Sequence, residues 1–352
     1  MTTPSRLRTR LAEAAAGGEG GFTLVDLLIA GVITSVTLAV AMTAFQGMAQ
    51  TSDGASLLSD VNLSLRSTLN LMTRDLLSAG RDIPVGGISI PSGAGATAVK
   101  RPSPTGTTRV FDEEWVVLPV VSPGDGLGPV VNGQATDIVT ILVADPDFQK
   151  VSADVAEDGS SADVDDGTPI DGPRGLVVGD LIMFETAGHR ALQMVTGRTG
   201  QTLEFTAGDE MNLNQRGAGA GTIMDLIPLA EDPVDANLHV MEATRVLMIS
   251  YYVDLSDERK PVLMRRINLG PDRAIGIGVE NVQVTYDLVD GDSNPLNEPQ
   301  PELPNQIRKA NVFLTGRSYR EWGRTQQYLR TSVSTQMSLR SLAFVDRYNL
   351  GQ

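Results

Sequence analysis

Two sets of oxygen-bearing side chains stand out for the chemistry that their positions allow. The first is Asp26, the one charge in an otherwise apolar run, FTLVDLLIAGVITSVTLAVAMTAFQGMA, that covers residues 22–49. An isolated carboxylate in a membrane helix costs ~2.5–3.5 kcal/mol, so Asp26 calls for a cationic partner or an interfacial depth. The second is Asp290-Gly291-Asp292-Ser293-Asn294, whose oxygens fall at positions one, three and five of a calcium loop. An EF-hand then needs glycine at six and a bidentate acid at twelve. Pro295 and Pro301 stand there instead, which leaves Asp290, Asp292 and Asn294 as a looser calcium candidate closed by Glu298 or Glu302. Asp154, Glu157, Asp158, Asp163, Asp165, Asp166 and Asp171 form another acidic stretch, read as a solvated loop and a weaker calcium candidate. Nucleophilic and hydrolytic constellations are missing. The chain has no GxSxG, no HExxH and no Walker lysine, and its two histidines, His189 and His239, are 50 residues apart. Without cysteine it has no thiolate chemistry and no disulfide. The expectation is a non-enzyme with no small-molecule substrate, and with calcium as the one candidate cofactor.

The elements that carry these residues follow from composition and pattern. Lys and Arg total 28 against 43 Asp and Glu, a net charge of −15, so bulk electrostatics exclude nucleic-acid binding. Apolar residues at 41% suffice for a sizeable core. As a helix, 22–49 spans ~42 Å, more than the ~30 Å of a bilayer's hydrocarbon. Arg6, Arg8 and Arg10 precede it and no basic residue falls between Ser52 and Leu65, so the positive-inside rule leaves the N-terminus cytoplasmic. A cleaved secretory signal ending at Ala39-Val40-Ala41 is the plainer alternative, and the apolar run continues past it. From 50 to 80 the spacing of Leu58, Val61, Leu65, Leu69, Met72 and Leu76 predicts an amphipathic helix, with a bend at Asp53-Gly54 and a glycine cap at Gly80. Residues 81–352 read as strands between Gly, Pro and Asp turns: 114–121, 137–144, 175–186, 190–196, 202–206, 238–240, 245–254, 262–268, 279–289, 308–316 and 331–343. The hairpin turning at 256–261 is the clearest. Residues 86–108 and 217–221 read as exposed loops.

Gly20-Gly21-Phe22-Thr23-Leu24-Val25-Asp26-Leu27-Leu28-Ile29-Ala30 resembles the type III signal of type IV prepilins and type II secretion pseudopilins. That resemblance implies cleavage after Gly21 by a prepilin peptidase and N-methylation of Phe22. It also places at mature position five an acid, here Asp26 where the family usually has Glu, which pairs with the α-amino group of a neighbouring subunit. Later segments are similar to PilW-type minor pilins. Residues 65–80 (LRSTLNLMTRDLLSAG) match their "L..L.rDlr.AG" helix end, and 179–184 (GDLIMF) their "GDl" strand. Residues 245–266 match "Y.vd...rPvL.R", 278–286 match "iE.lqvtY", and 329–342 match the closing "t.v.lRnl". The implied fold is α+β and type IV pilin-like, with a long helix, transmembrane then amphipathic, on a large antiparallel β-rich domain. Its parts would be a leader at 1–21, a filament-core helix at 22–49, its amphipathic extension at 50–80 and a periplasmic domain at 81–352. The implied role is priming pilus assembly at the tip, with other minor and major pilins, the inner-membrane platform protein and the peptidase as partners. A type II secretion minor pseudopilin and a membrane-anchored calcium-dependent adhesin are the alternatives.

Overall fold

The computed structural model describes residues 21–84, 86–165, 170, 175–230, 238–288 and 304–339. The chain divides into two units, Met1–Ala55 and Ser56–Gln352. A single helix, Leu24–Ser78, runs for 55 residues, about 82 Å. Its helical hydrogen bonding continues through Asp53-Gly54. One interior glycine costs only ~1 kcal/mol, less than leaving a turn of backbone carbonyls unpaired at a helix end. The expected stop does occur at Gly80. Its φ is +74°, and its N–H donates across to the Leu142 carbonyl at 2.7 Å.

In the second unit the helix buries Leu57, Val61, Leu65, Leu69, Met72 and Leu76. Leu57 takes the place expected for Leu58, which is half-buried. Thr68 lies in the same stripe and its hydroxyl donates to the Ile275 carbonyl at 2.8 Å. Close approach explains Gly276 beside it, since a Cβ there would stand 2.6 Å from the Thr68 hydroxyl and 2.7 Å from Val279 Cγ2. Both neighbours are β-branched and have little freedom to move aside.

Among the described residues eleven strands form the main sheet. Its spine is the 15-residue strand Val240–Asp254. The first half of the spine pairs with Leu181–Thr186 and Val151–Val155, and the second half with Val139–Ala144 and Val262–Ile267, all antiparallel. The hairpin between 254 and 262 forms as expected, with Asp254 opposite Val262. Beside it stand a three-stranded antiparallel sheet of Val279–Leu288, Ile307–Trp322 and Gln327–Ser338 and, among the described residues, three two-stranded sheets. A long helix with a large antiparallel β-rich domain is thus the α+β layout anticipated.

Several strand expectations change. The expected 238–240 and 245–254 give one strand that starts only at Val240 and runs unbroken to Asp254, and Arg273–Ile277 is a further strand. The expected strand 114–121 is two short pieces, Val117–Leu118 and Val121–Ser122, with Pro119 between them supplying no N–H for a ladder. The strand expected to end at 316 continues to Trp322. The acidic stretch from Asp154 is not simply a solvated loop. Val151–Val155 and Ser161–Val164 form a hairpin with Val151, Ala153, Val155, Ala162 and Val164 buried. Its carboxylates occupy the outward positions of the period-two alternation, which masked the strand signal. Asp154 accepts the His239 N–H at 2.7 Å and Asp163 accepts the Thr202 hydroxyl at 2.5 Å.

Candidate functional site

Asp26 lies in the first turn of the helix, two residues after it begins. Its carboxylate accepts the Thr23 N–H at 3.1 Å and the Thr23 hydroxyl at 2.8 Å, while the Thr23 hydroxyl oxygen accepts the Asp26 N–H at 3.2 Å. This is a reciprocal capping box, which satisfies two of the donors that every helix start leaves unpaired. The local role was not foreseen, although threonine three residues ahead of an acid at the edge of an apolar run is its ordinary signature. Phe22 is 90% exposed, and among the described residues nothing lies within 4 Å of a Cβ built on Gly21. The fold itself therefore makes no demand for glycine at 21.

From Leu24 to Met48 the large apolar side chains are exposed. The helix is long and apolar enough to cross a membrane near the N-terminus. Its hydroxyls are accommodated internally. Thr34, Ser35, Thr37, Thr43 and Thr51 each donate to the carbonyl four residues earlier, at 2.7 to 2.8 Å. Polar atoms so occupied add little cost in an apolar environment, where a lone hydroxyl would be penalised.

The second unit contains a charge centre that the sequence did not single out. Asp75 stands in the helix's buried stripe beside Leu76, with its side chain 7% exposed. One carboxylate oxygen accepts the Tyr251 hydroxyl at 2.6 Å and pairs with Arg265 Nε at 2.6 Å, and the other faces Arg74 at 3.3 Å. Burial, then the Asp75 charge, push the Tyr251 phenol well above its ordinary value, so it stays a donor. The overlooked signal is an acid at helical spacing among apolar residues. Each member sits in one of the segments quoted above: Asp75 in 65–80, Tyr251 and Arg265 in 245–266.

Two further ionic centres involve such segments. Asp180, after Gly179 at φ +93°, accepts the Val177 N–H at 3.0 Å and lies 3.6 Å from Arg245, which pairs with Asp145 at 2.5 Å. Glu280 is buried and pairs with Arg330 at 2.5 Å and Arg317 at 3.7 Å. In each centre at least one carboxylate is buried and its cationic partner is in place, which ties separate elements together.

Asp137 is buried at 3% exposure and accepts the N–H groups of Gly126 and Val284 at 2.9 and 2.7 Å. Burial pushes its carboxyl up to about 6, against the opposing pull of those two hydrogen bonds. Because the folded pKa lies above the unfolded one, the protonated form is favoured by folding. The stabilising contribution is present below about pH 4 and lost as pH rises through about 6. A carboxyl NMR titration should place Asp137 near 6, and Asp137→Asn should flatten the stability profile between pH 4 and 6. A midpoint at or below the ordinary value near 4 would reject this.

Of the expected site residues, Gly21, Phe22 and Asp26 stand together at the helix start. Asp290, Asp292 and Asn294 lie outside the described residues, as do Asp166 and Asp171. No protein-family model matches the chain, and no curated protein or solved structure matches it.

Proposed function

We propose that this chain is a PilW-like minor pilin that helps to prime a type IV pilus and sits at or near its tip, without catalysing a reaction. The observation that carries the reading is the Asp75–Tyr251–Arg265 centre. Three positions that resemble the family pattern, 176 and more residues apart for the helix and sheet members, meet in one buried contact. A second support is the uncovered apolar helix with a single acid in its first turn. Such a surface calls for lipid before assembly and for other apolar helices afterwards. The leader 1–21 would be trimmed on the cytoplasmic side, with the β-rich domain outside the inner membrane. Asp26 would then favour one stagger between packed helices by meeting the new α-amino group of Phe22 on a neighbour. The partners would be other minor and major pilins, the inner-membrane platform protein and the prepilin peptidase.

Mass spectrometry of the membrane-extracted protein, from cells with and without the peptidase, tests the reading directly. The mature chain should begin at Phe22, carrying an N-methyl group, only where the peptidase is present. Gly21→Ala should be trimmed poorly and bulkier residues not at all, with the protein still inserted. Since the fold leaves room at Gly21, loss of trimming would report the peptidase and not misfolding. A chain that begins at Met1 or at Met42 in piliated cells would overturn the proposal.

A further inference from the structure

A chain with fifteen excess negative charges gathers four of its 28 basic residues around one cavity. The cavity measures about 260 Å3, and among the described residues its wall carries Lys100, Arg101, Arg109 and Arg266 against the single acid Glu210. The two short strands Lys100–Arg101 and Arg109–Val110 set Arg101 opposite Arg109, an arrangement of like charges that destabilises an antiparallel pair unless something offsets it.

Protein groups offset only part of it. Arg266 pairs with Asp272 at 2.6 Å. Arg101, 4% exposed, gives its terminal nitrogens to the carbonyls of Pro123 and Ser122 at 2.8 and 3.0 Å, and to the Thr140 hydroxyl at 3.1 Å. Its guanidinium also lies 5.1 Å over the Phe111 ring. None of these partners is a carboxylate, and its buried Nε has no hydrogen-bond partner among the described residues. Arg109 Nε is likewise buried and unpartnered. Neither Arg109 nor Lys100 makes a side-chain hydrogen bond or ion pair among the described residues. Burial lowers the Arg101 pKa to about 10, which leaves it charged at neutral pH.

We propose that this cavity binds the oxyanion group, phosphate or carboxylate, of a small ligand, with Lys100 and Arg109 as its principal contacts and Arg101 as the buried charge behind them. Guanidinium and ammonium donors bind such oxygens by charge-assisted hydrogen bonds. The cavity volume admits a group with a small body attached. The inference stands apart from the filament reading, because it uses only the β-rich unit.

The test is calorimetric titration of the full-length protein in detergent with inorganic phosphate, glucose 6-phosphate and glucuronate, using glucose as the uncharged control. At least one anion should bind saturably at one site, and glucose should not. The double variant Lys100→Gln/Arg109→Gln should weaken that binding by about tenfold or more. In anion-free buffer the variant should melt no lower than the parent, because relieving the repulsion removes no described contact. Binding of phosphate and glucose 6-phosphate but not glucuronate assigns a phosphate site, and the reverse a carboxylate site. Absence of saturable heat from every anion at millimolar concentration overturns the proposal. So does binding that the double variant leaves unchanged while its melting temperature is retained.

Discussion

Asp75→Ala should lower the stability of the β-rich unit by ~3–5 kcal/mol, the usual cost of leaving a buried charge without its partner. In a unit of this size that corresponds to a fall in melting temperature on the order of 10 °C. The reason lies in what remains behind. Arg265 would keep its charge at a half-buried position and lose the carboxylate 2.6 Å away, and the Tyr251 hydroxyl would lose its acceptor. Tyr251→Phe should cost less, about 1 kcal/mol, since it deletes a donor and leaves the ion pair intact. Asp75→Asn should fall between the two. A double-mutant cycle between Asp75 and Arg265, read by thermal or denaturant unfolding, should give strong coupling, because the second deletion removes the stranded charge. If Asp75→Ala melts within a degree or two of the parent, the centre contributes no stability.

Asp26→Ala should insert in the membrane and be trimmed after Gly21, yet reduce co-purification with partner pilins and surface filaments by about tenfold or more. Removing a charge from an apolar helix favours insertion, so the defect belongs to assembly. The Thr23–Asp26 capping box provides the necessary control. If the acid served only to cap its own helix, Thr23→Ala would reproduce the defect and Asp26→Asn, which keeps an acceptor, would be nearly neutral. If the charge pairs with a neighbour's α-amino group, Asp26→Asn should fail as Asp26→Ala does, Thr23→Ala should assemble, and Asp26→Glu should be tolerated. Pull-down of the partner pilins and counts of surface filaments read all four variants. Normal assembly of Asp26→Ala would reject the intermolecular pairing.

The parts of this fold that were legible are those with strong periodicity. The apolar run, the stripe from Val61 to Leu76 and the stop at Gly80 needed only local pattern and a glycine free to take a positive φ. The hairpin at 256–261 was visible for the same reason. What escaped depended on partners far along the chain. Val151–Val155 and Ser161–Val164 hid behind their outward residues, because the serine and aspartate at alternate positions look like a polar loop until the facing core is known. The role of Asp75 was not legible, since its partners lie 176 and 190 residues downstream. The basic cavity was obscured by a Gly, Pro, Ser and Thr-rich stretch that reads as an exposed loop, and by an overall charge of the opposite sign.

The strand Val240–Asp254 has a consequence for the order of events as the chain is made. Its four neighbours are spread from Val139 to Ile267, and three of them are complete before it exists. Val139–Ala144, Val151–Val155 and Leu181–Thr186 each present an open edge to whatever is nearby until the spine emerges. At a synthesis rate of ~5–20 residues per second, the earliest of them waits about 5 to 20 s. During that interval the exposed edges are templates for pairing with other chains. A long spine shared by distant neighbours thus makes the β-rich unit dependent, while it is young, on being kept apart from its own kind.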